Sequence, residues 1–551
     1  MNRTHPLRPF LALGVLAAPL GLFAAGPAQA ASTTYYVSPS GSDTNSGTSE
    51  SAPLKTLQKA ADRTKPGDTV SIMGGTYTES APGRDILVIK RSGTAGQPIT
   101  YRAHPGSKPV IHPVNSWNGV NVAGASHIVI SGLEIAGDSS RISLADAERN
   151  AGRDDPRYNT NCLNIHRDGD SGPAPHDVLV TGNEVHHCPG AGISAIDADE
   201  VTVDHNKVHD TSWYTHYATS GISFLRALDA SPGDPQKYKM RITGNVVYGN
   251  ETKVKWGNCG CYSDGNGIIV DTNQNKPEGT GADYQGRTLV ANNVTFDNGG
   301  SGIHSFKSQH VDIVNNTAYY NSRSPHLDYG NIYAAYSRDV RLLNNVSSVR
   351  PGEPTNSNGK NEDVTYDYNV YFGGKTPEVK GPHDLVADPR LVHPTTDPAA
   401  ADFRPGANSP ALGSGTPFPA VPQDITGRDR DSAQGWDRGA YAKGATAQAG
   451  TPGAGSAPAA SAAPGAAGTT GAKPQGRPSA QGETAARSAQ DGTPSPATPA
   501  PATPAPGAHD SLASTGFDAA PALTGVAALA AGAGLLLWRR RKPGGHARSG
   551  S

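Results

Sequence analysis

Polar residues recur at matching positions in three similar stretches near the middle of the chain. The stretches SGISFLRA and SGIHSFKS place Arg226 and Lys307 at the same distance after Gly-Ile, and GNGIIVDT places Asp271 and Thr272 there. We interpret the three stretches as coils of one repeating unit. Equivalent residues on successive coils then lie about 4.8 Å apart, so these side chains share one surface, with His304 beside Lys307.

This set of residues suits the cleavage of a uronic-acid polymer by β-elimination. A base removes the proton at C5, beside the sugar carboxylate, and the glycosidic bond at O4 breaks. Lys307 is the candidate base, because positive charge on Arg226 favours a neutral lysine, and His304 is the third candidate catalytic residue. A bound cation neutralises the carboxylate as the intermediate forms. Oxygen ligands hold Ca²⁺, and the predicted ligands are Asp264, Asn266, Asp271 and Asp197.

Alignment of the coils on Gly-Ile gives two outward columns along the same surface. The first column consists of Ser194, Ser223, Ile269, His304 and Tyr333. The second column consists of Asp197, Arg226, Thr272, Lys307 and Tyr336. We predict that the substrate-binding residues are His216, Tyr214, Tyr333 and Tyr336.

The elements that position these residues are short strands that end in asparagine, such as VLVTGNEV and RITGNVV. The spacings between successive asparagines are 23, 39, 48, 23, 29 and 24 residues, by subtraction of their positions. A coil of three short strands and three turns needs roughly 22 to 24 residues. Asparagines at the same turn can stack into a ladder, bonding the backbone and one another. The asparagines are Asn183, Asn206, Asn245, Asn293, Asn316, Asn345 and Asn369.

Seven matching contexts favour an all-β fold, a right-handed single-stranded parallel β-helix, over an asparagine-rich β-sandwich. Two coils are longer than the basic unit, and their extra residues fall in 226–240, 248–264 and 272–287. Solenoids carry insertions as loops on one face, commonly the binding face. We expect these three loops to wall a groove.

Both ends of such a repeat need covering, because an open coil exposes unpaired strand edges and apolar core. Apolar residues from Leu54 to Ala61 recur at helical spacing, with Pro53 before them and Pro66 after them. They predict a short capping helix within the segment 31–116, which also holds the first coils. The repeats occupy 117–375, and 376–442 is predicted to be an irregular C-terminal cap that packs over the final coils.

The first 30 residues have the pattern of a signal peptide. Arg3 and Arg8 precede an apolar run, and the residues Ala-Gln-Ala before Ala31 give a small-x-small cleavage pattern. A transmembrane anchor is the alternative, but the run is shorter than roughly 20 residues and contains Pro19. We therefore expect a secreted protein.

The C-terminal part of the chain differs in composition from the body. Residues 443–511 are almost entirely Ala, Pro, Gly, Thr, Ser and Gln, so they cannot bury enough surface to fold and predict a disordered, extended stalk. The motif LASTG (512–516), a hydrophobic segment (519–538) and a basic tail (539–551) follow. Alone, the last two are typical of a membrane helix with its positive end in the cytoplasm.

With the pentapeptide, this end resembles the cell-wall sorting signals of Gram-positive bacteria, in the LAxTG variant found in actinobacteria. The resemblance implies that a sortase recognises Leu512, cuts between Thr515 and Gly516, and joins Thr515 to peptidoglycan. The hydrophobic segment would then be in the membrane only transiently, and the mature protein would be anchored to the cell wall.

Four cysteines in an exported chain favour disulfides over a metal site. Cys162 and Cys188 are one coil apart, so they can come within bridging distance. Cys259 and Cys261 are separated by one residue, which makes a mutual bridge strained. A pairing between coils is the alternative.

Residues 33–441 resemble the pectate-lyase-like right-handed β-helix proteins, and more narrowly polysaccharide lyase family 9. In that family a lysine is the base and aspartates hold Ca²⁺ one or two coils earlier. The turn at Asp264, followed by Lys307 after a later Gly-Ile, is similar in order and spacing. The family's paired Asp-Asp appears here as Ser263-Asp264. The resemblance implies a lyase that acts on an acidic, pectate-like polysaccharide.

Two other functions fit the same scaffold. A glycoside hydrolase would use Asp264 and Asp271 as a carboxylate pair roughly 5 to 9.5 Å apart, with no Ca²⁺ requirement and no unsaturated product. A non-catalytic carbohydrate-binding surface protein would bind without turnover. The net charge of −2 gives no indication of nucleic acid as a partner. We expect a monomer.

Overall fold

The computed structural model describes residues 31–446, apart from 80, 170, 232–233, 235–236, 278, 280, 431–432 and 434. Within these residues the chain passes in turn through three parallel sheets, which we name A, B and C. In one coil, for example, Ile128–Ser131 belongs to sheet A, Glu134–Ala136 to sheet B and Asn161–His166 to sheet C. The signal peptide, the sorting signal and nearly all of the stalk lie outside the described residues.

Sheets A and B each have eleven strands. The strands of sheet A are Thr34–Val37, Thr69–Ile72, Ile99–Ala103, Ile128–Ser131, Val178–Thr181, Val201–Asp204, Tyr238–Thr243, Arg287–Ala291, Gln309–Val314, Arg338–Leu343 and Glu362–Asp367. The strands of sheet B are Gly75–Tyr77, Pro109–Ile111, Glu134–Ala136, Glu184–His186, Lys207–His209, Val246–Tyr248, Val294–Phe296, Thr317–Tyr319, Val346–Val349, Val370–Gly373 and Leu385–Val386.

Sheet C has eight strands and is the sheet on which the predicted columns lie. Alternate residues of its strands, such as Ile222 and Phe224, point inward and are fully or almost fully buried. Stacked side chains of this kind form one continuous core between the three sheets. The strands are Leu87–Ile89, Asn118–Ala123, Asn161–His166, Ile193–Ile196, Ile222–Leu225, Ile268–Asp271, Ile303–Phe306 and Ile332–Ala335. The chain is thus a right-handed parallel β-helix, as predicted.

The predicted asparagine ladder is present at the turn between sheets A and B. At each step a side-chain oxygen accepts two hydrogen bonds from the asparagine before it: Asn293 Oδ1 accepts from the backbone N–H of Asn245 at 3.0 Å and from its amide at 2.9 Å. All seven predicted asparagines take part. Asp384 ends the ladder by accepting from Asn369 in the same way.

The N-terminal helix is also confirmed, and it is short. It runs from Leu57 to Ala61, and Thr56 caps it by accepting a hydrogen bond from the Lys59 N–H. Leu57, Ala60 and Ala61 face the core. The apolar side of the helix therefore covers the first coil, as the spacing of these residues requires.

A helical insertion between sheets B and C was not foreseen from the sequence. It contains the 3₁₀ helix Ser139–Arg141 and the helices Leu144–Asn150 and Pro156–Asn159. Ile142, Ala147 and Tyr158 of this insertion pack against Tyr214 and Val254, which lie on later loops between the same two sheets. The loops on this side of sheet C therefore form one packed wall.

The C-terminal segment packs along the side of the coils. Two of its strands, Leu391–His393 and Asp402–Pro405, form an antiparallel pair. Phe403 and Ile425 join Tyr248 and Phe296 of sheet B in one apolar cluster. These sheet B residues belong to central coils, so the segment runs back along the outer face and does not simply close the last coil.

Candidate active site

The outer face of sheet C carries the first predicted column in register. Ser194 pairs with Ser223, Ser223 with Ile269, Ile269 with His304, and His304 with Tyr333. Of these outward side chains, His304 is only 5% exposed and Tyr333 only 7%. Outward residues of a solenoid are buried only where loops lie over them. This part of the face is therefore covered by neighbouring side chains and loops.

Asp264 lies in the loop that enters the strand Ile268–Asp271. Its carboxylate accepts hydrogen bonds from Ser263 Oγ at 2.9 Å and from Ser220 Oγ at 3.3 Å. Burial raises the pKa of Asp264 to about 7, and the negative charge of Asp271 contributes to the same increase. Asp264 in turn raises the pKa of Tyr333, after the larger effects of burial and Tyr329. The carboxylate thus lies near Tyr333, a member of the first column.

Asn266 holds this loop against the neighbouring coils. Its amide donates to Ser220 Oγ at 3.1 Å, and its side-chain oxygen accepts from the backbone N–H and hydroxyl of Ser301. The side-chain oxygen of Asn266 therefore already accepts two hydrogen bonds from Ser301. Asp264 accepts hydrogen bonds from two serine hydroxyls, and Asp271 Oδ1 accepts one from Thr272 Oγ1 at 2.6 Å. Of the predicted calcium ligands, Asp264 and Asp271 are near enough for the charge of Asp271 to raise the pKa of Asp264.

The second predicted column lies at the end of the sheet C strands, where all five residues have a left-handed backbone. The φ angles lie between 46° and 52° for Asp197, Arg226, Thr272, Lys307 and Tyr336. Arg226 binds Asp197 through two bonds of 3.0 Å, Nε to Oδ1 and one terminal nitrogen to Oδ2. Asp197 is thus engaged by a guanidinium and does not join the Asp264–Asp271 pair.

Lys307 and Tyr336 form the far end of this surface with two further residues. The Lys307 Nζ lies 5.6 Å from the centre of the Phe306 ring, and Phe306 meets Tyr336 edge to face at 5.5 Å. Lys360 lies over Tyr336 at 5.2 Å, and Tyr336 is 42% exposed. An exposed aromatic ring with ammonium groups nearby suits a sugar ring that carries a carboxylate.

His304 is placed beside this surface but is sequestered from solvent. Its Nδ1 lies 2.6 Å from Ser301 Oγ, and its ring stacks on Tyr333 at 4.7 Å. Burial lowers the pKa of His304 to about 3. Burial therefore favours the neutral form of this imidazole.

Two predicted substrate-binding residues lie in the wall rather than on the outer face of sheet C. Tyr214 is buried in the apolar cluster of the helical insertion. The His216 ring is tilted against the Tyr217 ring with their centres 4.1 Å apart, and its Nε2 lies 4.0 Å from Asp154. The structure does not bring these two side chains into contact with the column residues that it describes.

Both disulfides are formed within the described residues. Cys162 bridges Cys188, which ties two successive coils together in the core. Cys259 bridges Cys261 on the exposed loop before Asp264, so the mutual pairing holds and a pairing between coils does not.

Predictions for the C-terminal end fall outside the described residues. Leu512, Thr515 and Gly516 belong to that part, as does the hydrophobic segment 519–538. Among the helices of the described part of the chain, none is long and apolar enough to span a membrane.

Two protein-family models match the chain. Residues 35–175 match the Pel9A-like, right handed beta helix region, and residues 114–346 match the right handed beta helix region. Together with the strand register, these matches define a right-handed parallel β-helix protein.

Individual relatives are similar over short stretches. The uncharacterized protein YwoF of Bacillus subtilis (strain 168) is 40% identical over 106 residues, 18% of this chain and 21% of that protein. Pectate lyase PEL9 of Emericella nidulans is 42% identical over 76 residues, 14% of this chain and 17% of that protein. The chain spans about a fifth of the length of these curated relatives. The crystal structure of pectate lyase Pel9A is 15% identical and covers 74% of this chain and 96% of its own, with a TM-score of 0.42.

Proposed function

We propose that this protein is a polysaccharide lyase that cleaves a uronic-acid polymer on the outer face of sheet C. The observation that carries the proposal is that Asp271, whose charge raises the pKa of Asp264, lies on the coil next to Lys307, since Asp271 pairs in register with Phe306. The similarity of one short stretch to a pectate lyase supports the same reaction. The substrate class follows from the chemistry, since β-elimination needs a carboxylate beside the proton that is removed.

The reaction is a proton transfer coupled to bond cleavage. Lys307 takes the C5 proton, the C5–H electron pair becomes the C4–C5 double bond, and the C4–O4 bond breaks. The leaving oxygen then takes a proton from water. Phe306 and Tyr336 provide an aromatic surface for the sugar ring. The Arg226–Asp197 ion pair lies two coils from Lys307 and holds both side chains in place. Because the two charges offset each other, the pair contributes little net charge to substrate binding.

Calcium fits this site through two of the four predicted ligands. The carboxylates of Asp264 and Asp271 supply hard oxygen ligands, and their mutual repulsion, which helps to raise the pKa of Asp264, would be relieved by a divalent cation. Calcium bound there would neutralise the substrate carboxylate. To bind calcium as well, Asn266 would have to give up its hydrogen bond from Ser301, and Asp197 would have to give up its ion pair with Arg226.

The proposal includes export and attachment. The N-terminal pattern and the LASTG motif support a protein that is secreted and then joined by a sortase to the peptidoglycan of an actinobacterial cell. A polymer-degrading enzyme on a stalk would meet its substrate outside the cell. Release of the protein from cell walls by muramidase, and its retention there only when Thr515 and Gly516 are present, would test this part.

The activity is tested by incubating residues 31–446 with pectate, alginate and other uronans, with Ca²⁺ or with EDTA. A lyase produces a conjugated C4–C5 double bond, which is followed by its ultraviolet absorbance. We expect this absorbance with Ca²⁺, its loss with EDTA, and its loss in Asp264→Asn. An intact protein that gives no unsaturated product on any uronan would contradict the proposal.

A glycoside hydrolase is the second candidate, and the electrostatics of Asp264 favour it. A carboxyl with a pKa of about 7 beside a second carboxylate is the arrangement in which one acts as general acid and the other stays ionised. This function predicts new reducing ends without ultraviolet absorbance, and no effect of EDTA. The same incubation therefore separates the two functions, and binding without either product would indicate a carbohydrate-binding protein.

A further inference from the structure

A second group of polar side chains lies at the ends of two sheet B strands. It consists of His187, His209 and Asp210. One ring nitrogen of each histidine and one carboxylate oxygen of Asp210 all lie within 4.8 Å of one another. We propose that these three residues bind a zinc ion.

The coil repeat itself brings the three residues together. His186 pairs with His209 in register, so the next residues on the two coils, His187 and Asp210, are also adjacent. Both have a left-handed backbone, with φ of 56° and 54°, where the chain turns out of sheet B. Cys188, which follows His187 directly, is fixed by its disulfide. The backbone positions of the ligands are therefore set before any metal binds.

Neighbouring groups hold the histidine rings in place. His209 lies between the rings of His186 and Tyr248, at 4.8 and 4.7 Å. Its Nδ1 is 2.9 Å from Asp210 Oδ2, and its Nε2 is 3.4 Å from Glu184. A histidine that binds metal commonly holds its second nitrogen against a carboxylate, which orients the ring. Glu184 is placed for that role, and zinc would replace the proton shared by His209 and Asp210.

His186 also orients the second imidazole ligand, His187. The Nδ1 atoms of His186 and His187 lie 2.7 Å apart, so one donates to the other and fixes the plane of His187. Nε2 of His187 is then the nitrogen that is left to bind metal. Gly249 leaves room for the carboxylate, because a Cβ there would lie 2.5 Å from Asp210 Oδ1. Large side chains on the next coil are thus excluded from the site.

The ligand types select the metal. Zinc bonds to imidazole and carboxylate of about 2.0–2.2 Å place ligands about 3.4 Å apart in a tetrahedron, so the side chains need move little over 1 Å. Three protein ligands leave one position for water. Calcium takes oxygen ligands, so this site is chemically distinct from the Asp264–Asp271 pair and does not depend on the proposed lyase function.

The chain offers a matched control in His127, His176 and Asp177, a similar group of two histidines and an aspartate on sheet A turns. The side chain of Asp177 is 41% exposed, against 28% for Asp210, and the rings of that group lack a carboxylate like Glu184 among the contacts described for them. Because this group is more exposed to solvent and has no such carboxylate, we expect it to bind zinc with lower affinity. His127→Ala therefore tests whether any exposed pair of histidines is sufficient.

The experiment is zinc titration of the metal-stripped full chain by calorimetry, with Co²⁺ substitution to read the ligand geometry from the visible spectrum. We expect one equivalent of zinc to bind. His187→Ala and Asp210→Asn, which lie outside the ring stack, should weaken binding about 100-fold, and Glu184→Gln should weaken it about 10-fold. His127→Ala should leave the affinity unchanged.

Two results would overturn the proposal. The first is no zinc binding by the folded full chain. The second is binding that survives in the His187→Ala, Asp210→Asn double variant, or that is lost in His127→Ala instead. Circular dichroism of each variant shows that the fold is intact, so a loss of binding in the double variant reports on the ligands and not on unfolding.

Discussion

The carboxylate of Asp271 helps to raise the pKa of Asp264, although six residues of chain separate them. Burial is the larger cause, and together the two effects bring the pKa to about 7. Asn266, between them, is bonded to Ser220 on one neighbouring coil and to Ser301 on the other. The acidic pair is therefore held by three coils at once.

This relationship predicts a pH dependence of stability. A carboxyl whose pKa is raised by folding binds its proton more tightly in the folded state, so its contribution to stability is present at acid pH and is lost as the pH rises through about 7. The slope for one proton is at most about 1.4 kcal/mol per pH unit. In EDTA, thermal unfolding of Asp264→Asn should lack this component, whereas Asp388→Asn, an exposed control, should keep it. Identical pH profiles for the unmodified protein, Asp264→Asn and Asp388→Asn would contradict the prediction.

Lys307 and Lys360 provide a matched pair for the base. Each ammonium lies over an aromatic ring, at 5.6 Å from Phe306 and at 5.2 Å from Tyr336. Loss of a general base costs roughly 10²- to 10⁴-fold in rate, so Lys307→Ala should lose at least about 100-fold in lyase kcat. Lys360→Ala should change mainly KM. Equal losses of kcat in the two variants would remove Lys307 from the catalytic role.

Asn293 is an internal member of the asparagine ladder. Asn293→Ala removes the acceptor for two donors of Asn245 and the donor to the Ile242 carbonyl, all inside the protein. Buried groups left without partners cost about 1–3 kcal/mol each, so we expect a loss of about 3 kcal/mol or more in the free energy of unfolding. Denaturant unfolding measures it. Asn358→Ala, on the exposed surface, should cost less than about 0.5 kcal/mol.

The two disulfides should differ in their effect on stability. The Cys162–Cys188 bridge spans 26 positions of sequence and Cys259–Cys261 only two. A longer closed loop removes more entropy from the unfolded chain, so the Cys162→Ala, Cys188→Ala variant should lose about 3 kcal/mol. The Cys259→Ala, Cys261→Ala variant should lose about half of that or less. The reverse order, measured by denaturant unfolding, would show that the exposed bridge holds the Asp264 loop in place.

The repeat could be predicted from sequence because its signals are local and recur. An asparagine at the turn and inward-facing alternate residues, such as Ile222 and Phe224, recur from coil to coil. Each coil therefore carries the same sequence signals for the same structure. The first outward column followed from the same alignment. A second ladder, Asn250, Asn298 and Asn321, was missed, although each lies five residues after a member of the first.

The site could be predicted only in part, because its contacts join segments that share no repeat. No local pattern shows that the helical insertion covers Tyr214 or that the C-terminal segment returns to Phe296. The ion pair of Arg226 and Asp197 is the exception, because these residues are neighbours in the second column. The partners of a side chain depend on which loops fold over it, and loop paths are set by packing.

The sequence by itself thus determined the coil, its ladder and the face on which polar residues collect, since these follow from short-range periodicity. The tertiary structure alone decided that Asp264 is buried within reach of the charge of Asp271, that the helical insertion covers Tyr214, and that the C-terminal segment returns to Phe296. The physical reason is that charge and coordination depend on distances of a few ångströms, which only the packing of loops onto coils fixes.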